Sequence, residues 1–440
     1  MSDSYTVITH QSWEERLKNA LIAAGFGFLL CSAAFFLLYW NEGKAVQRAQ
    51  TLEEGARIVK SINANHIYST DEGKLVHLSG EIAPDKTSLT DKVFGVMVDN
   101  VIKLRRAVEM YQWQESRETE TRDKLGGGTE TVTTYSYRKI WSEELIEPSR
   151  FHKDGYFNPS SMPIKGEAFT AEPVTLGEFT LSSNLVENLN DYQHLPISTE
   201  TFDVSQKQTQ LLDRKIHYNY GNYYVGEDPA YPQIGDLRIK FEIVLPTTIS
   251  VIAKQSESYL MAYITKAGGS IELFEYGVVD AKTMFKKAQK INTIKTWFLR
   301  LVGFLTMFLG LILVFNVFKI LAAVIPFLGK IVEWLNLFIS FILAVVFSLI
   351  TIALAWLYYR PLLGIILIVI AVSLLFLLKF GRKSQQPALE SQTLEEPQQP
   401  AFGQQKSVLK SQESTLAYEV AIPQKTSDLD TPVINNQLKF

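Results

Sequence analysis

ALIAAGFGFLLCSAAFFLLYW, residues 20–40, is the stretch on which the fold turns. It runs 21 residues without a charge. At ~1.5 Å per residue that makes about 31 Å of helix, enough to cross a hydrocarbon layer. Three more runs share its character: residues 301–318, 335–357 and 362–378. Together they predict four membrane spans. Trp13, Trp40, Trp297, Trp334 and Trp356 fall at the ends of these runs, where an interfacial aromatic belt needs them. The first run is too long for a signal peptide and lacks a cleavage site.

The chain's 47% hydrophobic and 20% charged residues average over two compositions. Residues 41–296 hold most of the charge, whereas 301–378 contain only Lys319, Lys330, Glu333 and Arg360 as charged residues. One large water-soluble domain therefore lies between the first and second spans. A net charge of −3 leaves no excess of basic residues for nucleic-acid binding. The single cysteine, Cys31, sits inside the first span, which excludes an intrachain disulfide and a Cys-rich zinc site.

Two helices join the domain to the membrane. Residues 41–62 continue out of the first span with Ala45, Ala49, Leu52, Ala56, Val59 and Ile62 at helical spacing. Residues 280–297 start at a capping Asp280 and carry Lys282, Lys286, Lys287 and Lys290 on a basic side, which either meets anionic lipid headgroups or is simply solvated. Between them the pattern is strand-like. VEMYQWQE (108–115) and VTTYSYRKIW (132–141) flank Gly126, Gly127 and Gly128 as a hairpin with its tip. Residues 75–82, 179–181, 217–225, 237–245, 250–254 and 271–274 are further strands. No βαβ alternation occurs. The expected class is α+β: an integral membrane protein with four transmembrane helices and a large, mostly antiparallel-sheet extramembrane domain between helices 1 and 2.

The division is then 1–19 cytoplasmic, 20–40 the first span, 41–296 the domain, 297–380 three spans and 381–440 a disordered cytoplasmic tail rich in Gln and Pro. Arg16, Lys18, Lys319, Lys330, Lys379, Arg382 and Lys383 favour a cytoplasmic side for both termini, although the lysines before the second span run against that bias. The domain is then lumenal, or periplasmic in a bacterium.

Chemistry is sparse. The six histidines form no H-E-x-x-H and no i,i+4 pair, and neither a phosphate loop nor a nucleophile elbow occurs. No catalytic, metal or cofactor-binding residue is expected, and the chain reads as a non-enzyme. A hydrolase using His77 or His152 is the remote alternative. Asn316 in the second span is an interhelical hydrogen-bonding amide rather than a transport site. What stands out is a stripe on the first span: Ala20, Ala24, Gly27, Cys31 and Ala34, at steps of four and three. Such small residues let another helix approach closely, either from a second copy or from the chain's own later spans.

Several segments resemble the transmembrane protein 43 (LUMA) family. They are WNEGKAV (40–46), LVHLSG (75–80), LRRAVEMYQW (104–113), YSYRKIW (135–141), GDLRIKF (235–241), SVIA (250–253) and TWFLRLVG (296–303). The resemblance runs from about Trp13 to Leu378 and marks Trp40, Asn41, Glu42, Gly43, Trp297 and Arg300 as motif joints. It implies a four-span protein of the endoplasmic reticulum and inner nuclear membrane with a lumenal domain. Its role would be to self-associate and organise other membrane proteins, including emerin and lamins in animals. The Gln-rich tail and the lack of N-glycosylation sequons in the domain also suit a bacterium, where only inner-membrane organisation and self-association would transfer. Expected partners are membrane lipid, further copies of the chain and other membrane proteins. The rival reading is a channel or transporter formed by the four spans.

Single cysteines at Ser183 and Gln405 in a Cys31→Ala background should label from opposite sides of the membrane. Labelling from one side would defeat the four-span topology.

Overall fold

The helix that begins as the first span does not stop at the membrane surface. In the computed structural model α1 (Trp13–Ile58) is one unbroken helix of 46 residues, about 69 Å long at ~1.5 Å per residue. Ser12 starts it with a capping box: its side chain accepts from the Glu15 amide at 3.2 Å, and the Glu15 carboxylate accepts from the Ser12 amide at 3.0 Å. Helix α2 (Ala281–Ala322) is likewise continuous and is capped by Asp280, which accepts from the Thr283 amide at 3.0 Å. A short connector leads to α3 (Pro326–Tyr359). The structure describes residues 3–85, 88–198, 214–324 and 326–361, with Ile366 and Val369. Among these, three helices are long and apolar enough to cross a membrane. The expected fourth span at 362–378 falls almost wholly outside the described residues, and the tail at 381–440 entirely so.

Between α1 and α2 lies a sheet-rich domain. In one sheet Thr248–Ser256, Tyr259–Met261, Phe179–Leu181, Val174–Leu176 and Leu75–Pro84 pair in turn, and the last returns to the first. The pairings therefore close into a small barrel, leaving no free edge among those five strands. A second sheet is built on Lys103–Asp123, which pairs with Leu237–Val244 over its first half and with Thr129–Ser142 over its second. Val76, Leu78, Leu176 and Phe179 from the first sheet and Leu104, Met110, Tyr223, Ile239 and Phe241 from the second share one buried core. A second apolar cluster docks the helices on the barrel: Leu52 of α1 and Met284 and Phe285 of α2 pack with Leu75, Ile252 and Ile271.

The hairpin anticipated around the three glycines is longer than its pattern indicates. Its strands continue through charged residues, because Glu118, Glu120 and Arg122 stand opposite Thr134, Val132 and Glu130 in unbroken register. A third strand, Asp3–Gln11, joins it, with Tyr5 opposite Tyr135 and Gln11 opposite Thr129. The sequence reading assigns no strand to residues 1–19. TVIT at 6–9 is β-branched, but so short a run is recognisable as part of a strand only through its distant partner.

In the membrane half the small residues of α1 meet α2. Ala20, Gly27 and Ala34 are buried, while Ala24 and Cys31 are half-buried. Gly27 faces Gly310 so closely that a Cβ on Gly27 would lie 2.5 Å from the Gly310 carbonyl oxygen and 2.9 Å from Val314. Ala34 packs with Met307 and Leu311 of α2 and Ala344 of α3. Asn316 is half-buried. An interhelical amide bond comes from Asn336, which donates to the Ile312 carbonyl at 3.3 Å.

Gly27→Leu should lower thermal stability by about 1–3 kcal/mol, the usual cost of forcing bulk into a packed seam. Leu29→Ile, on an exposed position of the same helix, should change nothing. Equal melting of the two variants in one detergent would show that the seam tolerates separation.

Candidate functional site

Three helices converge just where their apolar windows end. Glu42 of α1 is 1% exposed. A carboxylate so placed must be neutralised by protein, since it has lost its water. Arg300 of α2 does this with two parallel bonds, Nε to Oε1 at 2.6 Å and Nη2 to Oε2 at 2.9 Å. Trp356 of α3 adds a third donor, its Nε1 reaching Glu42 Oε2 at 2.7 Å. The guanidinium lies over two indoles, 4.6 Å from the Trp297 ring centre and 5.8 Å from that of Trp356. One acid, one base and two tryptophans thereby lock three helices at a single height.

The neighbouring polar groups extend the lock along the seam. Asn41 donates to the Thr296 carbonyl at 3.1 Å, and Asn292 donates to the Ala45 carbonyl at 3.0 Å. Gly43 lies under the Tyr359 ring, where a Cβ would come 2.5 Å from the ring's Cζ. Of the motif joints, Asn41, Glu42, Gly43, Trp297 and Arg300 are thus brought together, while Trp40 is half exposed and points away from the pair to line a groove. Asn292, Thr296 and the bonding role of Trp356 escape sequence reading. The available signal was an acid two residues past a span-end tryptophan and a base three residues past another.

The histidines are held structurally. His77 is bonded through both ring nitrogens, Nε2 to the Val279 carbonyl at 2.9 Å and Nδ1 to the Ser61 hydroxyl at 3.0 Å. The carbonyl can only accept, so Nε2 carries the proton and Nδ1 accepts from Ser61. No carboxylate orients this ring, and Ser61 is exposed. His152 stacks on Tyr135 with ring centres 4.3 Å apart. Among the described residues no group of three or more His, Cys, Asp or Glu side chains has metal-holding geometry.

At the far end of α1 the charged hairpin meets the helices. Arg16 donates to the Gly127 carbonyl and reaches Asp123 at 3.2 Å, while Trp13 Nε1 donates to the Ile320 carbonyl at 2.9 Å. Met110 to Asp123, the last strand residue before the turn, spans about 43 Å at ~3.3 Å per strand residue. Trp13 to Thr51 spans about 57 Å of helix at ~1.5 Å per residue. The ribbon, with its turn, therefore runs from the domain to the first turn of α1.

Comparison with known proteins gives a consistent family. A family model described as transmembrane protein 43 matches residues 110–361. Transmembrane protein 43 of Homo sapiens is 32% identical over 362 residues, covering 79% of this chain and 87% of its own, and that of Mus musculus has the same identity and coverage. The transmembrane protein 43 homolog of Drosophila melanogaster is 30% identical over 374 residues, covering 82% of this chain and 95% of its own. No solved structure matches the chain.

Breaking the buried pair from one side strands the other charge. Arg300→Ala should cost about 3–5 kcal/mol, and adding Glu42→Gln to it should restore part of that loss, because the orphaned carboxylate is then gone. Thermal melts of the two single variants and the double variant test this. Simple additivity would mean the pair is not coupled.

Proposed function

The chain belongs to the transmembrane protein 43 family, and from that premise we propose that it is a non-enzymatic multi-pass membrane scaffold that self-associates and organises membrane protein complexes. It is an integral membrane protein with several apolar helices. In a eukaryotic host the scaffold would work in the endoplasmic reticulum and inner nuclear membrane, with emerin- and lamin-like partners in animals. In a bacterium it would work in the inner membrane.

The supporting observation is the three-stranded ribbon beside the helices. Its outer strands, Asp3–Gln11 and the distal half of Lys103–Asp123, each leave one edge unpaired among the described residues. It carries Glu115, Arg117, Glu118, Glu120, Arg122 and Asp123 at the height of the apolar window of α1. Lipid accepts neither free backbone edges nor that density of charge. Ribbons of neighbouring copies that pair edge to edge, with the apolar helices outside, satisfy both demands. The same charges favour the second reading, a water-lined path through the assembly, which ion flux above an empty-liposome control would support.

Thr6 and Glu118 both stand opposite Thr134 on the strand between them. At ~4.8 Å per strand they lie about 10 Å apart within one copy, beyond disulfide reach. With Glu118→Cys and a cysteine scanned along positions 4, 6, 8 and 10 in a Cys31→Ala background, oxidation in native membranes should give a ladder of linked copies. Monomer at every position would remove ribbon pairing as the basis of self-association.

A further inference from the structure

A groove of about 540 Å³ opens between α1 and α2 just above the membrane, on the side away from the Glu42–Arg300 pair. Its cations are Lys44, Arg48 and Lys295, and none of its lining residues is an Asp or Glu. Arg48 is half-buried and donates to the Ser270 carbonyl at 2.6 Å, and Lys44 donates to the Gln47 amide oxygen at 3.2 Å. Among the described residues none of the three pairs with a carboxylate. Burial pushes the Arg48 guanidinium down from its ordinary value, the response of a cation whose water has been replaced by nothing negative. The groove behind α2 is different. It is lined by Arg300 and Arg360 but also by Glu42 and Glu53, so its charge is already balanced.

The lower wall of the uncompensated groove is apolar, formed by Trp40 and Leu299, and Ile291 adds an apolar side one turn above Lys295. Ile291 and its neighbour Ile294 are 54% and 58% exposed although they lie on the domain side of the Trp297 belt. Bare isoleucines at that height are at home against the glycerol and upper acyl region of a lipid, not against water. Three unpaired cations above an apolar floor, open to the bilayer, match a molecule with an anionic head and a hydrocarbon body.

We propose that this groove holds the phosphate-bearing headgroup of an anionic phospholipid, with its glycerol and chains leaving over Trp40 and Leu299 into the bilayer. The site is independent of the scaffold reading, because a single copy supplies every residue. A bound lipid would wedge the domain's two supporting helices and fix the depth at which the domain rides.

The full-length protein in neutral detergent, studied by native mass spectrometry, provides the test with phosphatidylglycerol, phosphatidylcholine and inorganic phosphate as probes. Phosphatidylglycerol should be retained over phosphatidylcholine and should resist excess inorganic phosphate. At about fivefold per surface charge, Lys44→Gln with Lys295→Gln should weaken retention roughly 30-fold. Both lysines are exposed, so melting should not move. Lys286→Gln with Lys290→Gln removes the same charge from α2 outside the groove and should leave retention intact. Equal loss from both pairs would reduce the effect to general attraction and overturn the site. No loss from the first pair would overturn it as well, and displacement of the lipid by inorganic phosphate would overturn the assignment to a lipid.

Discussion

Two helices that leave the membrane without a break govern the geometry of everything above them. A loop at the surface would let the domain swing. Instead α1 and α2 carry their seam from the Gly27–Gly310 contact through the Glu42–Arg300 pair to the cluster of Leu52, Met284 and Phe285 on the barrel. Each level uses a different force. In the hydrocarbon the helices are held by close approach, because lipid offers no hydrophobic drive between them. At the surface an ion pair sets the register, and above it burial of apolar area against the sheet takes over. A shift of α1 along α2 by one turn would separate all three contacts together.

The middle contact is an orienting device more than a source of stability. Desolvating a carboxylate and a guanidinium offsets most of what their attraction returns. Their value is that few other arrangements of three helices satisfy them. Glu42 receives three donors from two helices, and Arg300 lies against indoles from α2 and α3. A rotated or slipped helix would leave a bare charge at the membrane boundary. Wrong packings are therefore penalised more than the right one is rewarded.

This logic explains what could be read from the chain alone. The runs at 20–40, 301–318 and 335–357 are visible because lipid demands a continuous apolar composition, which needs no knowledge of partners. The Asp280 cap and most strands are local patterns, and the observed elements start within a few residues of where propensity puts them. The Glu42–Arg300 pair joins residues 258 positions apart, and only family resemblance pointed to both. The charged half of the hairpin has no local signature at all, and the N-terminal strand has only the short run TVIT. Thr, Glu and Arg alternating in sequence are as suited to solvent as to a sheet, and their strand state is imposed by pairing.

The ribbon is also where the two halves of the molecule make conflicting demands. The exposed faces of α1 and α2 carry Phe26, Phe28, Leu29, Phe36, Leu305 and Leu309, which water would repel and lipid accepts. Beside them, over the same length, run strands whose side chains and free edges require water or hydrogen-bonding partners. One environment cannot serve both surfaces of a single copy. A charged residue at mid-membrane costs about 2.5–3.5 kcal/mol on insertion scales even when it can snorkel, and a strand bonded at both ends has little freedom to do so. The conflict disappears only if the two surfaces face different media, lipid outside the helices and a polar interior around the ribbons. A single copy with one ribbon cannot enclose an interior, and the proposed self-association would let several ribbons share one. The polarity of the ribbon, more than any apolar patch, is thus the feature on which the proposed self-association rests.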